Sequence, residues 1–371
     1  MNHNKLILSL IIGIFFSGLA LLVTFKNIPL KDFIIYLKSV NYWWAIPSLC
    51  IGMGSFLLRV VRWQLILKPV KKATFLSSFH PLMIGFMINS VLPGRVGEIA
   101  RPAIFSRKEG VPFSKVLATV GAERVFDVMT LLFLSVIMLS VVEINSALDL
   151  TFGGYHLNRE SFETIWIATV KICVILFFFI VIIGIKKTRT IIKQIILQIP
   201  GMIFFIAPSK RESLRSGIFK KITMFLDNLA SGLEIIKKPS DIFWCLLLSF
   251  MVWITSALAF FVMAFGCPGI NISFLEMCAV LVIICFFIAL PSVPGYWGLF
   301  EAGGVFGLMI FGVSSTEGAG FILANHVIQM LPTIIIGIIS STLLGVNFAN
   351  AYSNGSEKKK VVESLEADQV R

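Results

Sequence analysis

Charge is scarce in this sequence, and that scarcity excludes most of what a chain of its length could be. Asp, Glu, Lys and Arg make up 14% of its 371 residues, against about 25% in a water-soluble domain. Hydrophobic residues reach 57%, more apolar surface than a soluble packing could hide, so lipid must be the solvent for much of it. Acidic residues are the scarcer sign, 20 against 32 basic, which leaves a formal net charge of +12. That excess sits in the loops between apolar runs, where positive charge sets topology and meets anionic headgroups. No basic stripe is interleaved with stacking aromatics, so nucleic acid is not an expected partner. The six cysteines, Cys50, Cys173, Cys245, Cys267, Cys278 and Cys285, form no CxxC pair and no Cys/His cluster. All lie in or at the ends of apolar segments, as small hydrophobes do, which argues against disulfides and metal ligation. A nucleotide loop, a zinc motif and a nucleophile elbow are also missing, which argues against ATP-driven transport by this chain alone. No cofactor and no metal are expected.

What is present is a series of apolar runs. Those long enough to span lie at Leu6–Phe25, Trp43–Val61, Val125–Val142, Thr164–Ile185, Ile242–Phe265, Ser273–Leu290 and Phe321–Val346. Two more, Phe79–Leu92 and Tyr296–Phe311, are shorter and interrupted. The fold class expected is an all-α integral membrane protein of about eight transmembrane helices, with re-entrant or broken helices. The first run follows Lys5 and resembles a signal peptide, but it lacks a small-x-small cleavage site and reads as a retained helix. Orientation follows from loop charge. Arg62, Lys68, Lys71 and Lys72 after the second span, and the basic residues of the long linker beginning Lys186, Lys187, Arg189 and Lys193, belong on the cytoplasmic side. The linker Glu143–Glu163, with four acidic residues against Arg159, fits the outer face.

Counting crossings from these anchors puts both termini inside and makes Phe79–Leu92 a re-entrant hairpin. The first loop is discordant, because Lys26, Lys31 and Lys38 outnumber Asp32 on the outer face. From Leu214, apolar residues recur at Ile218, Ile222, Phe225, Leu226, Leu229 and Leu233, the spacing of an amphipathic helix on the inner leaflet. One polytopic domain over 1–350, including an amphipathic cytoplasmic linker at 186–240, is followed by a polar, flexible cytoplasmic tail over 351–371.

Four constellations carry candidate chemistry. In the first, Asn89 to Arg101, Pro93-Gly94 must stop a helix, since proline removes a donor and glycine permits positive φ. Inside hydrocarbon such a break survives only where buried in protein or lining a wet cavity. Arg95, Glu98 and Arg101 follow at i, i+3 and i+6, near one face of the short helix that follows. Exposed amides and two arginines there favour an anion, and a phosphate-bearing headgroup is the natural candidate. The competing reading is an interfacial loop with its charges in water. The second, Glu123-Arg124-x-x-Asp127, stands at the mouth of the next span; it is either a helix anchor or, near Arg95 or Arg101, a buried ion network.

The third is Leu290 to Glu301. Pro93-Gly94-x-x-Gly97-Glu98 parallels Pro294-Gly295-x-x-Gly298-x-x-Glu301, and each opens a short second run. Paired broken segments of opposite orientation point to an inverted-repeat transporter with its site between them. Glu301 is hard to place in lipid unless it faces a cavity. The fourth is Asn325-His326-x-x-Gln329 in the last span, where Asn325 and Gln329 share a face. Interhelical hydrogen bonding explains these residues as well as a substrate path does, and His326 alone is weak evidence of a proton relay.

The run Asn89–Arg101, Gly110-x-x-x-Ser114, Ala118–Asp127 and Pro291–Glu301 together resemble the lysylphosphatidylglycerol synthase/flippase transmembrane family over about residues 5–348. The matching positions are Pro93, Gly94, Gly97, Glu98, Arg101, Glu123, Arg124 and Asp127, then Pro294, Gly295, Gly298 and Glu301. In two-domain members this region precedes a soluble aminoacyltransferase-like domain, and the membrane part is thought to flip the product lipid. The chain ends soon after its last span, so the resemblance implies a stand-alone flippase-like protein without lysyl transfer. Other stand-alone relatives are tied to polyprenyl-phosphate sugar lipids.

The expected function is therefore translocation of a phosphate-bearing lipid, aminoacylated or polyprenyl-linked, across the cytoplasmic membrane. Its headgroup would meet Arg95 and Arg101 between the two hairpins. The alternatives are a membrane-embedded enzyme of lipid or glycolipid modification, and a membrane partner of a separate lipid-modifying enzyme.

Overall fold

The computed structural model describes residues 3–26, 28–141, 149–152, 155–158, scattered positions within 164–182, 186–202, 214–220, 222–223, 238–290 and 293–345. The expected span Thr164–Ile185, most of the amphipathic run beyond Leu214 and the tail 351–371 lie largely or wholly outside them.

Most of the apolar runs become helices, as they must where the backbone has no water to bond. Helix α1 (His3–Phe25) is followed by α2 (Leu30–Ser39), and Gly13–Phe25 and α2 meet at 86° across an extended Pro29. A 3₁₀ turn at Tyr42–Trp44 leads into α3 (Ala45–Leu67). Helices α4 (Phe75–Val91), α5 (Gly97–Glu109) and α6 (Phe113–Val141) complete the first half. Thr74 caps α4 by accepting the Ser77 N–H, and Gly110 ends α5 in the left-handed region that suits glycine. After a short antiparallel hairpin of β1 (Asp149–Phe152) and β2 (Tyr155–Asn158) comes the linker helix α7 (Lys186–Met202). The hairpin supplies the only strands among the described residues of an otherwise helical protein.

The second half holds α8 (Pro239–Ala264), α9 (Phe274–Ile288), α10 (Leu299–Ile310) and α11 (Ser315–Leu343). Ser273 and Glu276 form a reciprocal capping box at the start of α9, and Ser314 caps α11. Among the described residues, the segments Tyr42–Leu67, Pro239–Ala264 and Ser315–Leu343 are long and apolar enough to cross a membrane, and the bent α1–α2 pair raises the count to four. The protein is thus a multi-helix membrane protein.

Several helix boundaries differ from the apolar runs, and two of the changes move charged residues into helices. Helix α3 runs past Val61 to Leu67, so Arg62, expected in a cytoplasmic linker, is a fully buried helix residue. Helix α6 begins at Phe113, so Glu123, Arg124 and Asp127 lie inside it and not at its mouth. Hydropathy ended both runs at charged residues, but these charges neutralise one another within the protein.

Helices α3 and α8 form the central seam and run antiparallel. Asn41 N–H donates to Gly266 O at 2.8 Å, Ser48 Oγ to Ala259 O at 2.8 Å, Gly54 faces Thr255, and Arg62 Nη1 donates to Ser249 Oγ at 2.7 Å. The remaining packing repeats across this seam. α4 lies on α5 as α9 lies on α10; α5 on α6 as α10 on α11; α4 on α11 as α9 on α6; and α3 on α4 as α8 on α9. Each half therefore places a helical hairpin beside a long helix.

Candidate functional site: two broken hairpins and a buried ion network

Each hairpin folds back because its break adopts the same unusual backbone. Gly94 and Arg95 have φ of 75° and 53°, and Gly295 and Tyr296 have φ of 67° and 63°. The preceding prolines, Pro93 and Pro294, deny a helical donor at each break. The arms then pack tightly. Asn89 Oδ1 accepts the Gly97 N–H at 2.8 Å, satisfying an orphan amide at the start of α5. Any side chain at Gly97 would collide with the Gly85 carbonyl, so glycine is required for this approach. In the second hairpin Gly303 and Gly307 lie against α9, and Gly298 lies on the Ser17 backbone of α1.

The two tips meet. A side chain at Gly295 would lie 3.2 Å from the Ser90 carbonyl. Arg95 Nη2 donates to Ile288 O at 2.7 Å, and its guanidinium lies 5.6 Å from the centroid of the Tyr296 ring. Arg95 and Tyr296 hold equivalent places in the two breaks and touch each other. At 1.5 Å per residue the arms are about 18–26 Å long, short of the about 30 Å hydrocarbon core.

Behind the first tip lies a network of three arginines and three carboxylates. Arg62 Nη1 is 2.6 Å from Asp127 Oδ1, and Arg62 Nη2 is 3.6 Å from Glu123 Oε1. Arg101 Nη1 is 2.6 Å from Glu123 Oε2, with its guanidinium 3.6 Å from the Trp63 ring centroid. Arg124 reaches Asp127 at 3.1 Å and Glu98 at 3.8 Å. Arg62 is 0% exposed and Arg101 5%, whereas the Arg124 and Glu98 side chains are 39% and 31% exposed. The network thus runs from a dry floor to an accessible edge beside Arg95, which is exposed. Buried arginine nitrogens remain unbonded, including Nε of Arg62, Arg101 and Arg124. Arg59 lies 5.3 Å from the Trp253 ring and 5.7 Å from the Phe86 ring. Neither Arg59 nor Arg95 has a carboxylate partner among the described residues. The network is neutral within itself, so these two leave a local excess of positive charge.

Behind the second tip the chemistry differs. Glu301 is fully buried; its Oε2 accepts the Gly298 N–H at 2.6 Å and its Oε1 lies 2.6 Å from His326 Nδ1. His326 stacks on Phe300 at 4.0 Å and leans on Trp297 at 4.5 Å. Gln329 Nε2 donates to Ser48 Oγ at 2.9 Å. Asn325 is 0% exposed, and neither side-chain atom has a partner among the described residues.

The seventeen sequence candidates divide into two groups, one at each hairpin and its long helix, although Asn325 and Gln329 make no bond to the Glu301–His326 pair among the described residues. Asn89, Pro93, Gly94, Arg95, Gly97, Glu98, Arg101, Glu123, Arg124 and Asp127 form the first; Pro294, Gly295, Gly298, Glu301, Asn325, His326 and Gln329 form the second. The sequence reading missed Arg59, Arg62, Trp63 and Ser249. The available signal was Arg59 and Arg62 at i and i+3 at the end of an apolar run, which places both on one helix face. Among the described residues, no group of three His, Cys, Asp or Glu could hold a metal ion.

The chain is similar to known proteins. The chain is 24% identical to a UPF0104 membrane protein of Pyrococcus horikoshii, over 80% of this chain and 84% of that one. It is 22% identical to the glycosyltransferase AglD of Haloferax volcanii over 94% of this chain, and spans 56% of that protein's length. A family model, that of the lysylphosphatidylglycerol synthase transmembrane region, matches residues 10–337. That match takes in both hairpins, the ion network and the central seam, and the chain belongs to this family.

Proposed function

We propose that this protein is a lipid translocase that moves a phosphate-bearing lipid across the cell membrane, with both termini on the cytoplasmic side. The observation that carries the reading is the meeting of two broken hairpins beside unneutralised arginines. Discontinuous helices whose breaks face one another are the construction of inverted-repeat transporters, which hold substrate between the repeats. The paired helix contacts and the matching φ values at the two breaks support such a repeat here. Arg95 at the tip, and Arg59 against Phe86 of the same hairpin, supply the surplus positive charge for a phosphate, and half-exposed Arg124 and Glu98 line the edge. Arg101 and Arg62 hold Glu123 and Asp127 in place from below. The acyl chains remain in lipid while the headgroup passes between the hairpin tips. Phospholipids and polyprenyl-phosphate lipids share the chemistry this site selects.

A test uses proteoliposomes with lipids labelled on an acyl chain, reading label exposed to an impermeant quencher. Phosphate-bearing lipids should equilibrate between leaflets at least about tenfold faster with the protein than in protein-free vesicles, a barrier lower by about 1.4 kcal/mol. Equal rates with and without the protein would contradict the reading. A second reading, a membrane partner of a separate lipid-modifying enzyme, is favoured by the similarity to part of a longer protein named as a glycosyltransferase. Co-purification with such an enzyme, together with full tolerance of Arg95→Ala, would favour it.

A further inference from the structure

The two halves differ in one respect. Helices α6 and α11 are both 29 residues long. Laying Phe113 on Ser315 lays Glu123 on Asn325, Arg124 on His326 and Asp127 on Gln329. The carboxylates of the first half thus become amides in the second, and the arginine becomes a histidine. In each half the cationic residue of the long helix faces a glutamate at the start of the adjoining hairpin arm: Arg124 with Glu98 at 3.8 Å, and His326 with Glu301 at 2.6 Å. The first pair carries permanent charge. The second pairs a carboxylate with an imidazole, which can stand neutral or protonated.

We propose that Glu301 and His326 form a proton-carrying site that couples lipid movement to proton movement, an inference that rests on the translocase reading. A proton from water on one face adds to Nε2 of His326, whose Nδ1 already shares a proton with Glu301 Oε1. The site then holds an imidazolium against a carboxylate and is neutral overall; release of that proton to the opposite face restores the anionic site. No other bond changes. Phe300 stacks on the imidazole and Trp297 leans against it, which fixes the ring beside Glu301. The buried, unpartnered amide of Asn325, one residue before His326, offers donors and acceptors for a water or headgroup beside the pair. Permanent cations in one hairpin and a titratable pair in the other would let the half holding the headgroup respond to the half holding the proton, because Arg95 sits on Tyr296 between them.

Other ionisable groups lie at the ends of the surrounding elements. α11 carries Glu317 in its first turn, bonded to Ser314, and α9 carries Glu276 in its capping box, with Cys278 and Cys285 further along. α4 carries His80, bonded to Ser340 near the other end of α11. α2, against α11, carries Lys31, Asp32, Tyr36 and Lys38; α3 carries Arg59 and Arg62; α8 carries Asp241 and Cys245. α1 has no ionisable side chain from Gly13 to Phe25, and β1, which also touches α10, begins at Asp149. The charged group against the second tip is Arg95.

The test is the steady-state distribution of labelled phosphatidylglycerol between leaflets of proteoliposomes under an imposed pH gradient, with membrane potential clamped. A carrier moving one proton per lipid supports up to about tenfold asymmetry per unit of pH gradient, while an uncoupled translocase leaves the leaflets even. We expect wild-type asymmetry that reverses when the gradient is reversed, and even leaflets for both Glu301→Gln and His326→Gln. Wild-type equilibration to even leaflets under either gradient would overturn the inference and leave the translocase reading standing. Asymmetry persisting in either variant would overturn the assignment to this pair. Vesicles in which the wild type moves no lipid would overturn the translocase reading and this inference with it.

Discussion

At the scale of single residues, the first cluster is governed by the cost of burying charge. A lone buried ion is unstable, and a pair persists in the interior only when its members stay together. Asp127 neutralises Arg62 and Arg124 at once, so Asp127→Ala should cost about 3–5 kcal/mol of stability, read as a lower unfolding midpoint in mixed micelles. Arg95 lies exposed at the tip, outside the network. Arg95→Ala should leave the unfolding midpoint near wild type while slowing lipid transport at least about tenfold, or about 1.4 kcal/mol in the barrier. A large stability loss in Arg95→Ala with undiminished transport would reverse the roles assigned here. Both clusters were legible in the sequence because proline, glycine and charge rarely coincide in apolar runs. The third arginine bound to Glu123 and Asp127 was not, since Arg62 follows a hydrophobic run and reads as a loop charge until its buried carboxylates are known.

At the scale of elements, the breaks were legible and the helix starts were not. Pro93-Gly94 and Pro294-Gly295 carry their reason in covalent chemistry, a missing donor and a tolerated positive φ. Helix α6 begins at Phe113, well before its apolar run, because the intervening turns pack on α5 and α3 and not on lipid. Only with that start in place does Glu123-Arg124-x-x-Asp127 fall opposite Asn325-His326-x-x-Gln329. The hairpin arms depend on contact between backbones. Gly97→Val would force α5 off α4 by colliding with the Gly85 carbonyl; we expect little folded protein, measured as monodisperse yield after extraction. The antiparallel register of α3 and α8 makes a sharper test. In a cysteine-free background, Gly54→Cys with Thr255→Cys should form a disulfide on mild oxidation, because a Cβ at Gly54 lies 3.8 Å from Thr255 Cγ2. A pair displaced by six residues along α8, Gly54→Cys with Ser249→Cys, should not.

At the scale of the molecule, the repeated packing gives one mechanical picture. Two hairpins of like construction, each braced by a long helix, meet tip to tip beside a central seam of two antiparallel helices. The sequence conveyed the membrane character and the pairing of breaks, because hydropathy and Pro/Gly placement are local properties. It did not convey that the tips touch, since Arg95 and Tyr296 are separated by most of the chain.

The central claim is that lipid headgroups pass between these tips. The most direct measurement is transport through a bridged gap. Ser90→Cys and Tyr296→Cys, in a cysteine-free protein, are joined in proteoliposomes by a short, reducible bifunctional thiol reagent, and movement of labelled phosphatidylglycerol is followed before and after reduction. The account predicts transport in the unbridged protein, its loss on bridging and its return when the bridge is reduced. Transport continuing at the unbridged rate through joined tips would contradict it.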